Sequence, residues 1–396
     1  MHTVVEPLVA AVDEAARVRA VEDLGLLGAG PEERFDRITR LARQVFGVQS
    51  AAVTLVDRTT QYHKSQAGRF LADGPRETAF CDHTIRNDEP MVVEDAQGDA
   101  RFVDFPSVTS GQIGFYAGHP LQAPGGQNVG ALCLVDDSPR HFSDADRAML
   151  AELASWAQRE LDRAEELGRA AEMQRALLPQ DTPDLLGYDI AGMCMPSGAV
   201  GGDFFDWHPA SDGEVVLTLG DVMGKGLQAA IMTATVRAVM RSTSRSARPA
   251  AAVAHAAEAL HDDLWRTDTL VTLAHARLRP ADGLVRFTDA GHGLMLLVLA
   301  DGTVHRPARG GMPLGWPYDQ EWPERTLRLS PGDVIVAFSD GLLDLYDGSL
   351  AALDEVASVV REATTSDEIV AHFARRADRL STLPDDVTVV AIRRTV

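Results

Sequence analysis

Residues 200–230 read VGGDFFDWHPASDGEVVLTLGDVMGKGLQAA. Segments 204–208 and 215–219 are short apolar runs with aromatic and β-branched residues, the composition of strands. From Leu227 to Met240 the pattern turns helical. Outward from this stretch the same alternation continues. Strands are expected over 189–195, 270–278, 285–289, 294–299, 334–338 and 387–392, and helices over 250–264, 350–361 and 367–380. Helices come in pairs between runs of strands, so the expected class is α+β with stacked layers rather than a βαβ alternation.

Ahead of this region, residues 31–46 (PEERFDRITRLARQVF) put Phe35, Ile38, Leu41, Ala42 and Val45 at three- and four-residue steps, an amphipathic helix. Strands are expected over 51–56, 91–93, 115–121 and 129–135, with an extended segment over 61–66 and a short helix around 80–87. Ser143 caps a long helical pattern that ends at Pro179, with Asp144 and Asp146 suiting its positive end. The stripe Leu150, Leu153, Ala157, Leu161 and Ala164 is compatible with a two-stranded coiled coil, which makes a homodimer the expectation. The plainer alternative is a last domain helix running into a linker. The expected organisation is an N-terminal segment over 1–22, a first domain over 23–165, a linker helix over 166–180 and a second domain over 181–396.

A chain of 396 residues with 45% hydrophobic and 24% charged residues has the length for two packed domains. Its 37 Lys and Arg face 58 Asp and Glu, a net charge of −21 that divides into −10 through Gln180 and −11 beyond. No basic arm or face remains to neutralise phosphates, which argues against nucleic acid and anionic membranes and for a protein partner or a cation. Cys81, Cys133 and Cys194 form no CxxC pair, so neither a disulfide framework nor a zinc knuckle is expected. The start of the chain lacks a basic region before its apolar stretch, and no later apolar run approaches ~20 residues. The expected location is cytoplasmic.

The chemistry-bearing pattern is acidic. Asp203 follows Gly201 and Gly202, Asp221 closes EVVLTLG, Asp340 closes DVIVAFS, and Asp385 and Asp386 open VTVVAI. Strand ends at one pole of a sheet can converge although they are distant in sequence. Two bare carboxylates ~4 Å apart repel by about 4 kcal/mol at an effective dielectric of ~20, so a cluster of this kind needs cations. Carboxylates and carbonyls are hard ligands suited to Mg²⁺ or Mn²⁺. Taken singly, each Asp could equally be a turn or cap residue. GGDFF lacks the acid of a GGDEF cyclase signature, and GDVMGKG is one residue short of a P-loop.

Order and spacing supply the rest. LLPQ (177–180), VGGDFFD (200–206), GDVMGKGLQAA (220–230), DAGHG (289–293), MPLG (312–315), SPGDVIVAFSDGLLD (330–344) and PDDVTVV (384–390) together resemble the bacterial metal-dependent Ser/Thr phosphatases of the type 2C (PPM) superfamily, in its SpoIIE-like branch. The resemblance implies a β-sandwich flanked by helices with two Mn²⁺ or Mg²⁺ ions at one end. Carried over by residue, it makes Asp203, Asp221, Asp340 and Asp385 the catalytic acids and metal ligands, with Asp221 bridging the ions and the Val222 carbonyl binding one. The chain departs from the family pattern at Ser339, where Thr is usual, at Gly293-Leu294, where Pro is usual after AGH, and at Met223, where many eukaryotic relatives carry a His. The proton donor to the leaving group is thus open between water and Lys225. His292 reads as a hydrogen-bonded structural histidine.

FDRITRLARQVFGVQSAAVTLVD (35–57), HKSQAG (63–68), ETAFCDHTI (77–85), VVEDAQGDARF (92–102), FYAGHPL (115–121) and GALCLVD (130–136) resemble a GAF domain, which implies a sensor sheet with a ligand-sized pocket. That resemblance names no ligand. Cys81-Asp82-His83 reads as packing and capping rather than as a cofactor site. The combined expectation is a phosphoserine/phosphothreonine phosphatase regulated by a GAF domain and acting on a phosphorylated STAS-type anti-sigma-factor antagonist. The rival readings are a non-catalytic phosphoprotein-binding adaptor and a small-molecule sensor dominated by its GAF half.

Overall fold

The computed structural model describes residues 5–28, 30–308, 310–317, 320–380 and 382–396, with side chains from residue 14 on. The chain divides into two compact units, Met1–Arg169 and Ala170–Val396.

In the first unit, helices α1 (Val5–Asp23) and α2 (Glu33–Phe46) precede strands β1 (Ser50–Val56), β2 (Thr60–Gly68) and β3 (Gly74–Pro75). Helix α3 (Phe80–Thr84), β4 (Met91–Val93), α4 (Pro106–Thr109), β5 (Phe115–Gln122), β6 (Asn128–Asp136) and α5 (Asp144–Leu177) follow. The strands form one antiparallel sheet in the order β3-β2-β1-β6-β5-β4. Both faces are covered, so every residue of β1 is buried, including Ser50 and Thr54, and the strand shows no alternation of apolar and exposed polar positions. Ala51, Val53 and Leu55 face Phe35, Ile38, Leu150, Leu153 and Leu161, whereas Ala52 and Val56 face Phe80, Phe102 and Val108.

That packing corrects one expectation. Leu150, Leu153, Ala157, Leu161 and Ala164 are all buried within the first unit, against the sheet and α2, so the stripe is not a free coiled-coil seam. The homodimer expectation loses the observation that prompted it. A helix stripe of Leu and Ala has the same periodicity whether a sheet or a second helix covers it. Val21, on α1, belongs to the same core, so the end of the segment expected over 1–22 packs with the domain.

In the second unit, strands β7 (Tyr188–Met195), β8 (Asp203–Pro209) and β9 (Val215–Val222) lead into helices α6 (Leu227–Thr243) and α7 (Pro249–Thr267). Strands β10 (Val271–Arg279), β11 (Leu284–Ala290), β12 (Met295–Val298), β13 (Val304–His305), β14 (Arg325–Arg328) and β15 (Val334–Phe338) come next. Helices α8 (Gly341–Asp344), α9 (Ala352–Glu362) and α10 (Ser366–Ala377) precede β16 (Val387–Arg394). Two antiparallel sheets result, β14-β11-β10-β9-β8 and β13-β12-β15-β16-β7.

The period-two alternation of the strands builds the layers. Phe205, Trp207, Val215, Leu217, Leu219 and Phe287 of one sheet meet Ile190, Met295, Ile335, Val390 and Ile392 of the other. Their neighbours point outward and are buried a second time. Phe204, Val222, Val271 and Leu273 pack under α6 and α7, while Val336, Phe338, Val387 and Val389 pack under α8, α9 and α10. The unit is a β-sandwich with helices on both outer faces, the layering expected from the sequence.

Candidate metal centre

Asp203 is the first residue of β8 and Asp221 lies near the end of β9, and the two are directly opposite each other in the antiparallel register. Like charges so placed destabilise a sheet, so their juxtaposition calls for a function or a counter-ion. On the second sheet, Asp340 stands between β15 and α8, and Asp385 lies just ahead of β16, the strand paired with β15. The four acids therefore gather at one end of the sandwich from two sheets. Pairing of β8 with β9 and of β15 with β16 forms the two pairs, and packing of the two sheets on each other brings the pairs together.

Burial and neighbouring negative charge show in the protonation of Asp221 and Asp203. Burial pushes the Asp221 carboxyl up to about 7, and the negative charges of Asp340, Asp385 and Asp386 push the same way. Asp203 is held well above the usual carboxylate range, by burial first and then by Asp221. Its Oδ2 is buried and makes no hydrogen bond of ordinary geometry, although the Ser339 and Thr388 hydroxyls lie close enough to the carboxyl to favour its charged form. A buried carboxylate oxygen with an unused lone pair costs free energy unless something positive meets it.

Backbone groups carry the geometry around these acids. Asp386, adjacent to Asp385, spends its carboxylate as a clamp. Oδ1 accepts the Ser197 N–H at 2.6 Å and Oδ2 accepts the Gly202 N–H at 2.6 Å, tying β16 to the turn before β8. A Cβ at Gly201 would stand 2.3 Å from Asp386 Oδ2, and one at Gly202 would stand 2.4 Å from the Val222 carbonyl oxygen, so the turn requires glycine at both places. The Ser339 hydroxyl donates to the Asp386 carbonyl at 3.1 Å and accepts the Thr388 N–H at 2.9 Å, a role that needs only a hydroxyl. Replacement of the usual Thr is thus accommodated.

Asp385 is part-exposed and pairs with Lys225, whose Nζ lies 3.2 Å from Oδ1 and donates to the Pro384 carbonyl at 2.6 Å. Lys225 is therefore at the acids, positioned by the loop that carries Asp385. His292 is buried. Its Nε2 donates to the Phe338 carbonyl at 2.9 Å, which leaves Nδ1, 3.2 Å from the Thr272 hydroxyl, as an acceptor. The ring thereby fixes the strand end that leads into Asp340. Asp344, one turn after Asp340, carries no signal in the sequence that would single it out. Burial and then Asp340 and Asp385 raise its carboxyl.

The donor set suits hard cations: carboxylates, the Val222 carbonyl and the Asp203 oxygen that lacks an ordinary hydrogen bond. Among the described residues no three His, Cys, Asp or Glu side chains are arranged to hold one ion by themselves. Mg²⁺ is commonly held by one or two carboxylates with the remaining positions filled by other oxygens, and this site fits that mode.

The first unit has a cavity of about 550 Å³ whose lining includes Gln61, Phe70, Phe80, Cys81, Tyr116 and Cys133. Of these, Tyr116 places its hydroxyl 2.7 Å from Thr84 Oγ1 and donates to Cys81 Sγ at 3.4 Å. In the Cys81-Asp82-His83 run, the thiol is buried, Asp82 pairs with Arg76 and Arg86, and His83 packs edge-on to Phe102. Each of these residues is occupied by packing or pairing.

Residues 211–395 match the family of stage II sporulation protein E (SpoIIE), and residues 30–161 match the GAF domain family. The chain thus carries a GAF-family domain over 30–161 followed by a SpoIIE-family domain over 211–395. Among curated relatives, the GAF–SpoIIE chain is 36% identical over 144 residues to a cyclic di-GMP phosphodiesterase of Pseudomonas aeruginosa, covering 36% of the chain and 24% of that protein. It is 24% identical over 238 residues to the phosphoserine phosphatase RsbU of Bacillus subtilis, covering 58% of the chain and 70% of RsbU. The chain thus spans about a quarter of the length of the first of these relatives. The SiaA-PP2C domain of Pseudomonas aeruginosa superposes with a TM-score of 0.51 at 23% identity, over 60% of the chain and 98% of that domain, which establishes a shared fold. Among the described residues no helix is long and apolar enough to cross a membrane.

Proposed function

We propose that the protein is a metal-dependent phosphoserine/phosphothreonine phosphatase acting on a phosphorylated STAS-type protein and regulated by its GAF domain. The observation that carries this reading is the cross-strand pair Asp203 and Asp221, buried, mutually repelling and with one carboxylate oxygen lacking an ordinary hydrogen bond, next to Asp340 and Asp385. A binding-only adaptor has no use for so costly an arrangement. Asp203, Asp221, Asp340, Asp385 and the Val222 carbonyl are the proposed ligands. Two bound Mn²⁺ or Mg²⁺ ions would supply the positive charge that activates water and polarises a phosphoryl group. Around them, Asp386 and His292 fix the backbone that carries the ligands, and Lys225 holds a positive charge beside Asp385, where a phosphate could be drawn in. The phosphoserine part of this reading is supported by the match to the SpoIIE family and by likeness to RsbU, itself named a phosphoserine phosphatase. The GAF cavity has the size for a small-molecule signal.

The test is phosphate release from a panel of phosphorylated STAS-domain proteins with Mn²⁺, with Mg²⁺ and with chelator. Turnover should need the metal, and Asp221→Asn or Asp340→Asn should abolish it. Full turnover in chelator would overturn the assignment. For regulation, two alanines inserted after Arg169 should change the rate, and seven, about two helical turns, should restore it. Equal rates in both would remove the GAF domain from control.

A further inference from the structure

Gly201 and Gly202 form the turn that delivers Asp203, and they have no side chains with which to hold it. The Gly202 N–H donates to Asp386, and its carbonyl accepts from the Val222 N–H at 3.1 Å and from the Thr233 hydroxyl at 2.7 Å. Gly201 is held differently. Its N–H donates to Gln174 Oε1 at 3.0 Å, and its carbonyl accepts from Gln174 Nε2 at 2.7 Å. One carboxamide thus pairs with both polar backbone groups of one residue, as a neighbouring strand would. Among side chains, only Asn and Gln offer a donor and an acceptor in this fixed planar relation while uncharged, and Gln has the greater reach.

From these contacts we infer that Gln174, in the last turn of α5, is a positioning residue for the metal-binding acids. The inference rests on the phosphatase reading of Asp203 and Asp221. A diglycine has the largest backbone freedom of any dipeptide, and stiffening by substitution is closed off at Gly201 because a Cβ there would strike the Asp386 carboxylate. Order must be imposed from outside. Gln174 fixes Gly201, Asp386 fixes Gly202, and the next residue is Asp203, one of whose oxygens is buried without an ordinary hydrogen bond. Gln180, at the same end of the helix, acts differently, because its Nε2 donates to the Arg175 and Leu178 carbonyls at 2.8 Å and caps the helix. The two glutamines separate a positioning role from mere fastening of the helix end.

The test uses the full-length chain and Mn²⁺ as the probe. Gln174→Met keeps length and volume but removes both hydrogen bonds. Gln174→Glu keeps an acceptor for the Gly201 N–H and loses the donor. Gln180→Ala is the control. Mn²⁺ affinity is measured by titration calorimetry, alongside phosphatase kcat as a function of Mn²⁺ concentration. Gln174→Met should weaken Mn²⁺ binding about tenfold or more, since two hydrogen bonds of ordinary strength exceed the ~1.4 kcal/mol that a factor of ten represents. Its kcat should approach the wild-type value at saturating Mn²⁺. Gln174→Glu should lie between, and it carries the test if the Met variant does not fold. Gln180→Ala should bind Mn²⁺ within about twofold of wild type. Wild-type Mn²⁺ affinity in folded Gln174 variants would overturn the inference alone, as would a loss of kcat that saturating Mn²⁺ does not restore. Failure of the wild-type protein to bind Mn²⁺ would overturn the phosphatase reading and this inference together.

Discussion

Asp221→Asn should stabilise the metal-free protein while removing a ligand of the proposed metal site, and the size of the gain can be worked from the structure. The Asp221 carboxyl, ordinarily near 3.8, is pushed up to about 7 by burial and by Asp340, Asp385 and Asp386. In the unfolded chain it ionises near its ordinary value. A carboxyl whose folded-state value is raised favours the fold when protonated. Below about pH 4 both states hold the proton and ionisation has no effect. Between about 4 and 7 the unfolded state gives up its proton first and stability falls with rising pH; above about 7 both states are ionised and the loss is complete. A gap of roughly three pH units at ~1.4 kcal/mol per unit places that loss at about 4 kcal/mol.

Asparagine has nearly the same shape and no charge to lose. In chelator, urea unfolding of wild type should therefore weaken from pH 5 to pH 8, and the pH-dependent difference between Asp221→Asn and wild type should grow by a few kcal/mol over that interval in favour of the variant. With saturating Mn²⁺ the order should reverse, because ligand binding stabilises only the protein that binds. A variant equally or less stable than wild type in chelator at pH 8, with no growth of the difference from pH 5, would refute the account of these acids as a repelling cluster.

Mn²⁺ affinity should rise with pH through about 7, because below that value the ion must displace the Asp221 proton; calorimetric titrations across pH 5.5–8.5 check this. Gly202→Ala brings a Cβ to within 2.4 Å of the Val222 carbonyl, a backbone atom that cannot swing aside, so Mn²⁺ affinity should fall at least tenfold. Leu153→Glu should destabilise the first unit by several kcal/mol, seen as an early thermal transition, because it buries a charge in a packed core. Tyr116→Phe removes a buried hydroxyl that contacts Thr84 and Cys81 and should cost about 1–2 kcal/mol in the same melt.

Several features of the chain were legible without coordinates because they depend on local chemistry. Most longer strands of both units announce themselves through short apolar β-branched runs, the polar β2 excepted, and α2 does so through its amphipathic spacing. Short elements were not visible: β13 has two residues and β14 four, too few for a period to show. Among the acids, sequence could mark the Asp385-Asp386 doublet but not divide its labour. One carboxylate is consumed by two backbone N–H groups and the other is left at the site, a division made by the turn at Gly201-Gly202 almost two hundred residues earlier.

The sequence by itself determined the α+β class, the candidate acids, the hard-cation chemistry they demand and the family of each half, because motif order and residue type are properties of the chain. Tertiary structure alone decided which surfaces are spent and which are free. The Leu150 to Ala164 stripe looks like a dimer seam in one dimension and is core in three, since a sheet covers it. Gln174 carries no signal in its own neighbourhood and acquires a role only because the fold lays its carboxamide along the Gly201 backbone. Asp203 and Asp221 are ordinary strand-end acids until antiparallel register sets them face to face in a buried place, where the energy of their repulsion turns a pattern into a site.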